Sequence, residues 1–501
     1  MPKSFLYQLS LFFSLLSFTF LTTLGVQAQN TNRTPGFSLN QNSLTVDWQN
    51  VLYSNDQNTF SLNANMGLYP EVTENANYRK GMQTMKPGLL RLHPITLGAD
   101  SDYRNWSIGR NWSLERITPS LDGLQKLATE NYKPELVLVL GGWPKPFKTY
   151  QVTDPKTNEV VTDELLDPSE YNDYVRFATD LVKIVNIDQK RQIKYFEIFN
   201  ERDNDYTHRI NQYNQRNYPD GKDAIPSKVE EFANLYNRVA KAMKAVDPSI
   251  KIGGPALQHV YDLTNIEKFI QITSAEVNPR TLDYFSAHSY FSSKATDSEE
   301  QIYQGLTWVN QHQKMIRSLL DRHNPEYHVP LWWNEYNLAH NYSFTDNRMQ
   351  TQEGAIFDAV MATKSLDNGV DILMPWNDAD PEFGKLDHGN DYRLFPGAKI
   401  QYLLSNHQQG ERVSTNLNAK EGIYAQAVKN NSGYSLLLIN RSDETQSLTV
   451  DDLNMGSTSR KIEKYTLERG NLRKLNLSKW FFYSKNQKLA PKSVTILVYK
   501  I

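Results

Sequence analysis

Eight apolar runs alternate with segments of helical periodicity between residues 62 and 405, and this alternation limits the fold more than any other feature. The runs cover 62–69, 89–93, 136–140, 193–201, 250–255, 282–290, 331–337 and 372–376. The helical segments cover 78–85, 120–130, 169–185, 228–246, 266–273, 299–321, 350–366 and 396–404. The pattern predicts an α/β protein with a (β/α)8 barrel. The alternative is an open doubly wound sheet, but the glycine-rich phosphate loop typical of such sheets does not follow the first run.

The sequence changes character after residue 405. Short strand-like runs follow one another between Asn, Ser, Gly and Asp turns, and no helical segment separates them. This pattern predicts a β-sandwich over residues 406–501. Two strand-like pieces in the segment 29–61 precede the barrel, and we expect them to join that sandwich. The predicted barrel therefore covers residues 62–405.

Residues 1–28 have the character of a cleavable export signal. Lys3 precedes a mostly apolar stretch over 9–24, and the small-residue segment before Gln29 suits cleavage after Ala28. We expect a secreted, periplasmic or cell-surface location after cleavage. An uncleaved anchor is the alternative, but the apolar stretch is interrupted by Ser and Thr and is shorter than the roughly 20 residues of a membrane span.

Composition excludes several classes of function. The formal net charge of −2 gives no electrostatic footprint for nucleic acid, and no dense basic run suggests a membrane surface. The chain has 0 Cys, which excludes a thiol nucleophile or a cysteine metal site. The sequence contains no motif for a cofactor or for another kind of metal site, so we expect neither a cofactor nor a metal ion. A calcium site in the acidic loop 377–392 is conceivable, but a solvated rim is favoured because the spacing matches no ligand loop.

The ends of the predicted strands carry the residues of chemical interest, since active sites in such barrels lie at the carboxyl face. Two carboxylates arrive there, Glu201 on the fourth run and Glu335 on the seventh. Other polar and aromatic side chains at strand ends are Arg91, His93, Trp143, Asn200, His288, Tyr290 and Trp376. Glycosidic bond cleavage needs two carboxyl groups in different protonation states. The pair therefore favours a glycosidase acting on a carbohydrate substrate.

The residues around the pair suit this chemistry. Tyr290 and Arg91 are expected donors to a nucleophilic carboxylate, and Trp143 and Trp376 are expected to stack on the apolar face of a sugar ring. His288 is either a satisfied core histidine or an orienting group, and the sequence leaves both alternatives open. The oligomeric state is not predicted.

Glu197 and Glu201 stand four residues apart in the fourth run, which places both side chains on one face of a strand. Glu197 is expected to lie deeper and to be structural. The long loop 202–227 that follows is polar and rich in tyrosine, and a loop of this size at the catalytic face is expected to shape a substrate pocket.

These residues resemble the retaining glycoside hydrolases of clan A, and within that clan family 39, which includes β-xylosidases and α-L-iduronidases. The resemblance spans roughly residues 62–405. It rests on the strand-end residues above and on the runs 196–201, 245–256 and 283–290. The chain departs from the family pattern at Asn334 and Tyr336, and at Arg202 where Pro is commoner.

The resemblance implies that Glu201 is the general acid/base, that Glu335 is the nucleophile and that Asn200 contacts the sugar 2-hydroxyl. It also implies that Arg91, His288 and Tyr290 support the nucleophile. The competing hypothesis is a non-catalytic glycan-binding or cell-surface protein that keeps the barrel. A third hypothesis makes the sandwich a carbohydrate-binding module, with the aromatic run 480–482 as its contact surface.

Overall fold

The computed structural model describes residues 42–93, 112–144, 146–339, 346–455, 461–477 and 485–500. The predicted signal segment 1–28 and the aromatic run 480–482 lie outside these residues. The strands are β1 (Asn42–Asn55), β2 (Leu62–Asn63), β3 (Leu89–Leu92), β4 (Glu135–Leu140), β5 (Thr149–Thr153), β6 (Val160–Leu166), β7 (Tyr195–Ile198), β8 (Lys251–Leu257), β9 (Tyr284–Ser292), β10 (Leu331–Ala339), β11 (Ile372–Pro375), β12 (Leu386–Asp387), β13 (Arg393–Leu394), β14 (Gly410–Asn418), β15 (Ile423–Asn430), β16 (Gly433–Asn440), β17 (Gln446–Leu453), β18 (Lys461–Glu468), β19 (Asn471–Leu477), β20 (Asn486–Leu489) and β21 (Ser493–Lys500). The α-helices are α1 (Pro70–Glu74), α2 (Ala76–Met85), α3 (Leu114–Gln125), α4 (Tyr171–Val182), α5 (Arg209–Asn217), α6 (Val229–Val246), α7 (Leu263–Ser274), α8 (Glu299–His323), α9 (Gln352–Asp367) and α10 (Pro396–His407).

Eight strands form a parallel sheet in the order β2, β3, β4, β7, β8, β9, β10 and β11. The sheet closes on itself where Phe60 bridges Leu373. At this seam the Ser61 amide donates to the Leu373 carbonyl at 2.9 Å, and the Leu373 amide donates to the Thr59 carbonyl at 2.9 Å. The predicted (β/α)8 barrel is confirmed.

Large side chains fill the inside of the barrel beneath the carboxyl ends of the strands. Trp332 stacks on Tyr284 with ring centroids 3.6 Å apart. A Cβ at position 253 would lie 2.2 Å from a Tyr284 ring atom, so this strand position requires glycine. Trp333 points the other way and lies in the layer between strands and helices. The barrel is thus a packed support on which the residues at its mouth are held.

A second sheet lies at the carboxyl-terminal end of the chain. Its nine strands run in the order β19, β18, β21, β16, β15, β14, β1, β17 and β20. Most pairs are antiparallel, and β1 pairs antiparallel with β14 and parallel with β17. The predicted second, mostly antiparallel β domain is confirmed, and its architecture is sandwich-like.

This second domain packs against the last two barrel helices. Leu437 and Ile496 belong to the same apolar core cluster as the barrel. The Gln352 side chain donates to the Lys492 carbonyl at 2.9 Å, and the Tyr53 hydroxyl donates to the Leu366 carbonyl at 2.6 Å. None of the helices within the described ranges has the length and hydropathy needed to cross a bilayer.

Two of the differences from the strand predictions lie close to the barrel mouth. The first barrel strand ends at Asn63 rather than continuing to residue 69, because the next residues turn into a 3-10 helix, Met66–Leu68. An unpredicted hairpin of β5 and β6 follows the third barrel strand. This hairpin packs on the long loop after the fourth strand, where the Thr162 hydroxyl donates to the Asp205 carbonyl at 3.0 Å. The long loop itself contains α5.

Candidate active site

Glu201 is held outside the regular strand by an unusual backbone. Strand β7 ends at Ile198, and Phe199 and Glu201 then adopt left-handed φ angles of 72° and 57°. Such angles are uncommon for non-glycine residues and are costly for a bulky one. Two hydrogen bonds hold the turn: the Phe199 amide donates to Leu140 at 2.7 Å and the Glu201 amide donates to Ala256 at 2.9 Å. The turn sets the Glu201 side chain at the mouth, where it is 30% exposed.

Glu335 lies inside β10, at a point where the strand register shifts. The pairing of β10 with both β9 and β11 is irregular between Trp333 and Tyr336. A bulge of this kind re-aims side chains, and here Asn334 and Glu335 both make contacts inside the barrel mouth. Strict alternation would have turned one of them outward. Glu335 is 11% exposed at its side chain.

Two donors hold the Glu335 carboxylate. The Tyr290 hydroxyl donates to Oε1 at 2.6 Å, and Arg91 Nη1 donates to Oε2 at 3.1 Å. A hydrogen bond from a charged donor is stronger than one between neutral groups, and both bonds stabilise a negative charge on Glu335. The geometry matches the donors that the sequence predicted for this carboxylate.

Arg91 connects the two halves of the site. It is fully buried, and its Nε donates to Glu197 at 2.8 Å while Nη1 also donates to Asn63 at 3.0 Å. Its Nη2 donates to Asn200 Oδ1 at 2.6 Å. The planar guanidinium can satisfy several acceptors at once in a fixed geometry, which lysine cannot do. Arg91 thereby fixes Asn200 and Glu335 relative to one another.

His288 lies between the two carboxylates. Its Nδ1 is 2.9 Å from Glu201 Oε1 and 3.7 Å from Glu335 Oε2. Burial lowers the pKa of His288 to about 4, with Glu335 opposing and Arg91 adding to the effect. The imidazole is therefore neutral near pH 7. Of the two alternatives left open by the sequence, this contact favours the orienting role.

The two carboxyl groups are close and differently placed. One ligand atom each from Glu201, Glu335 and His288 lies within 4.8 Å of the other two. Removal from water raises the pKa of Glu201 to about 7, and the positive charge of Arg91 partly opposes this rise. Glu201 can thus hold a proton near neutral pH while Glu335 receives the hydrogen bonds that favour an anion.

The side chains of Glu201, His288 and Glu335 are also close enough together to hold a metal ion. Among the described residues, this is the group of His, Asp and Glu side chains with such spacing. The hydrogen bond between His288 and Glu201 already accounts for their closeness.

The acidic loop 377–392 contributes no cluster of possible metal ligands among its described residues. The prediction that the acidic side chains of this loop are solvated is wrong for Asp378. This residue is fully buried, and its carboxylate accepts hydrogen bonds from the backbone amides of Met66 at 3.0 Å and Gly67 at 2.7 Å.

The aromatic strand-end residues occupy two different settings. Trp376 is partly exposed and meets His93 edge to face, with centroids 5.9 Å apart. Burial lowers the pKa of His93 well below its ordinary value, so its imidazole is neutral. Trp143 is only 8% exposed, and the Arg202 guanidinium lies 4.5 Å from its ring centroid. Arg202 thus covers one face of that ring, and stacking of a sugar on Trp143 stays a prediction.

Two asparagines of the site were not predicted as site residues. Asn63 accepts from Arg91 and donates to the Asn334 carbonyl at 2.9 Å, and the Asn334 side chain donates to Glu197. Both belong to the buried layer directly below the carboxylates. Asn63 is the second residue of the first apolar run and Asn334 precedes Glu335 in the seventh, so a polar residue inside an apolar run was the available signal.

Comparison with known proteins shows similarity to glycoside hydrolases. The model of glycosyl hydrolases family 39 matches residues 206–380. A β-xylosidase of Geobacillus stearothermophilus is 33% identical over 119 residues, which are 22% of this chain and 23% of that protein. The chain therefore spans about a quarter of the length of this relative. The predicted resemblance to family 39 is confirmed for this central part of the chain.

Solved structures share the fold over almost the whole chain. A GH30 endoxylanase from Clostridium papyrosolvens has a TM-score of 0.62 and 14% identity, and the match covers 92% of this chain and 100% of that one. An α-L-arabinofuranosidase from Thermotoga maritima has a TM-score of 0.63 and 13% identity, with 92% and 100% covered. A GH39 β-xylosidase from Caulobacter crescentus has a TM-score of 0.58 and 13% identity, again with 92% and 100% covered.

Proposed function

We propose that this chain, whose central part matches glycosyl hydrolases family 39, is a retaining glycoside hydrolase that cleaves O-glycosidic bonds by double displacement. The observation that carries the proposal is the pair of carboxyl groups with oxygens within 4.8 Å. Retaining enzymes hold the two carboxyl groups about 5 to 5.5 Å apart, whereas inverting enzymes leave about 6.5 to 9.5 Å for a water molecule. The short distance between these oxygens supports the retaining assignment.

In the first step Glu335 attacks the anomeric carbon, and a covalent glycosyl ester forms as the bond to the leaving oxygen breaks. Glu201 gives its proton to that oxygen, so the leaving group departs as a neutral alcohol. In the second step Glu201 takes a proton from water, and the water oxygen attacks the anomeric carbon. The ester bond to Glu335 breaks, and both carboxyl groups return to their starting states.

The surrounding residues support these roles. Tyr290 and Arg91 hold the Glu335 carboxylate in place before attack. His288 holds Glu201 from the side of the nucleophile. Asn200 is fixed by Arg91 next to Glu201, where its amide can reach the sugar 2-hydroxyl. Trp376, partly exposed at the end of β11, is the proposed aromatic wall for the sugar ring.

Pentosides are the proposed first substrates to test, because the relatives and structural neighbours carry the names β-xylosidase, endoxylanase and α-L-arabinofuranosidase. We also propose that residues 1–28 direct export, which would bring the enzyme to glycans outside the cytoplasm. A fusion of residues 1–28 to a periplasmic reporter tests this, and retention of the reporter in the cytoplasm would refute it.

A screen of 4-nitrophenyl glycosides and plant, algal and bacterial polysaccharides tests the activity. We expect release from at least one substrate by the native protein and none by Glu335→Ala. Absence of release from every substrate, with binding retained, would instead support the non-catalytic glycan-binding hypothesis. Equal activity of the native protein and Glu335→Ala would refute the assignment of the nucleophile.

A further inference from the structure

An exposed aromatic strip runs from the rim of the barrel mouth along the outside of α8. It consists of Tyr261, which is 45% exposed, Trp308, which is 43% exposed, and Met315, which is 46% exposed, together with His312. Trp308, His312 and Met315 stand four and three residues apart, so they share one face of α8. Tyr261 precedes α7, and its ring centroid lies 6.0 Å from that of Trp308. Neither ring belongs to the site around Glu201 and Glu335.

We infer that this aromatic strip binds a segment of a polysaccharide chain outside the catalytic pocket. The inference rests on the proposed function for the class of ligand, and it adds a second binding site. Exposed tryptophan and tyrosine rings offer a flat apolar face together with a polar edge, which suits the two-sided surface of a sugar ring. The flanking side chains of Gln304 and Gln311 are exposed amides that can bond sugar hydroxyls.

The size of the strip favours a glycan over a protein partner. An aromatic side chain presents about 150 to 250 Å² of surface, and each ring here is less than half exposed. The exposed area of the strip is therefore on the order of 250 Å². A stable protein interface needs about 800 Å² from each partner. The strip suffices for a few sugar rings and is too small to hold a second copy of this chain.

The strip is structurally continuous with the proposed catalytic centre. The Tyr261 hydroxyl lies 2.8 Å from His208 Nδ1, and His208 stacks on His259 with centroids 3.4 Å apart. The His259 amide donates to Asp203 at 2.9 Å, two residues after Glu201. The loop that carries the acid is therefore bonded to the loop that carries Tyr261. A chain lying on the strip is placed to reach the mouth from the outside of the barrel.

The rings themselves are well positioned. Trp308 packs against His312, with centroids 4.0 Å apart, and His312 Nδ1 lies 2.9 Å from the Trp308 carbonyl. This contact supports the exposed indole on one side and leaves its outer part in solvent. A ring held in place in the free protein loses little conformational entropy when a ligand binds.

Affinity electrophoresis in native gels tests the site. Full-length protein carrying Glu335→Gln, which prevents hydrolysis, is run in gels cast with arabinoxylan, mixed-linkage β-glucan, arabinan, polygalacturonate or alginate. We expect retardation in at least one gel, and Trp308→Ala in the same background should raise the apparent dissociation constant about three- to tenfold. Trp308→Phe should keep most of the affinity. Leu114→Ala removes an equally exposed apolar side chain on α3 and should change nothing.

The outcomes separate this inference from the proposed function. With native Glu335, Trp308→Ala should leave kcat/KM on 4-nitrophenyl glycosides within about twofold of the parent, because that small substrate does not reach the strip. Retardation that is unchanged by Trp308→Ala, or no retardation in any gel, would overturn the inference even if aryl glycosides are cleaved. Failure to cleave any glycoside would refute the proposed function alone. A change of oligomeric state on Trp308→Ala, measured by sedimentation velocity without glycan, would show a self-association surface and overturn the inference.

Discussion

A carboxylate oxygen of Glu201 and one of Glu335 lie within 4.8 Å of each other at the mouth of the barrel. The two residues reach this position by different routes. Glu201 follows a left-handed turn after β7, and Glu335 lies at an irregularity within β10. Because the two environments differ, one carboxyl group can carry a proton while the other is charged.

Replacing each carboxylate should produce a different defect. Glu335→Ala removes the attacking group, so turnover should be abolished. Glu201→Ala removes the proton donor and should lower kcat/KM about 10²- to 10⁴-fold on substrates with poor leaving groups. Azide should restore activity to Glu201→Ala by replacing water in the second step, and the product should be a glycosyl azide of retained configuration. Full activity in both variants would contradict the assignment.

The pH profile should report Glu201. Its pKa is raised to about 7, and the protonated form is the one that acts first. The kcat/KM of a substrate with a poor leaving group should therefore fall about tenfold per pH unit above this pKa, because the proton donor is lost. Glu201→Gln should lose this alkaline limb. A limb that persists unchanged in Glu201→Gln would assign the titration to another group.

Tyr290→Phe removes one donor from Glu335 and leaves the ring in place. A hydrogen bond to a charged group is worth enough that kcat/KM should fall about 10- to 100-fold. The thermal midpoint should change little because Tyr290 is partly exposed at the mouth. Tyr336→Phe, in a buried tyrosine of the neighbouring strand, is the matched control and should keep its activity. Equal kinetics for Tyr290→Phe and the native protein would argue against support of the nucleophile.

Arg91→Met should destabilise the fold as well as stop catalysis. The change leaves Glu197, a fully buried carboxylate, without its cationic partner. Breaking such a buried pair costs roughly 3 to 5 kcal/mol. Arg393→Met removes an exposed arginine that pairs with Asp387, and it should cost under about 1 kcal/mol. Urea unfolding of both variants makes the comparison, and equal losses would contradict a special role for Arg91.

The order of strands and helices in the barrel followed from the sequence because the apolar runs are buried on both faces and most of the barrel helices have a periodic apolar side. The residue types at the strand ends also pointed to a glycosidase. The local backbone geometry around the two carboxylates did not follow from the sequence. The left-handed turn at Phe199 and the irregularity beside Asn334 depend on hydrogen bonds to neighbouring strands, which a single run of sequence does not contain.

Long-range packing also escaped prediction in the loops. Asp378 belongs to an acidic stretch that reads as a solvated rim, yet it is buried because it accepts two backbone amides from the turn after the first barrel strand. The sequence around Trp143 likewise does not reveal that Arg202, from the next loop, covers one face of its ring. In both cases the deciding partner comes from a distant part of the chain.

Trapping of the glycosyl-enzyme tests the central claim most directly. A 2-deoxy-2-fluoro glycoside of the sugar that the protein releases slows the second step and lets the covalent ester accumulate. Peptide mass spectrometry should then show the sugar attached to the peptide that contains Glu335, and Glu335→Gln should show no label. A label on another residue, or turnover of the native enzyme with inversion and no label at all, would contradict the double-displacement mechanism proposed for Glu335 and Glu201.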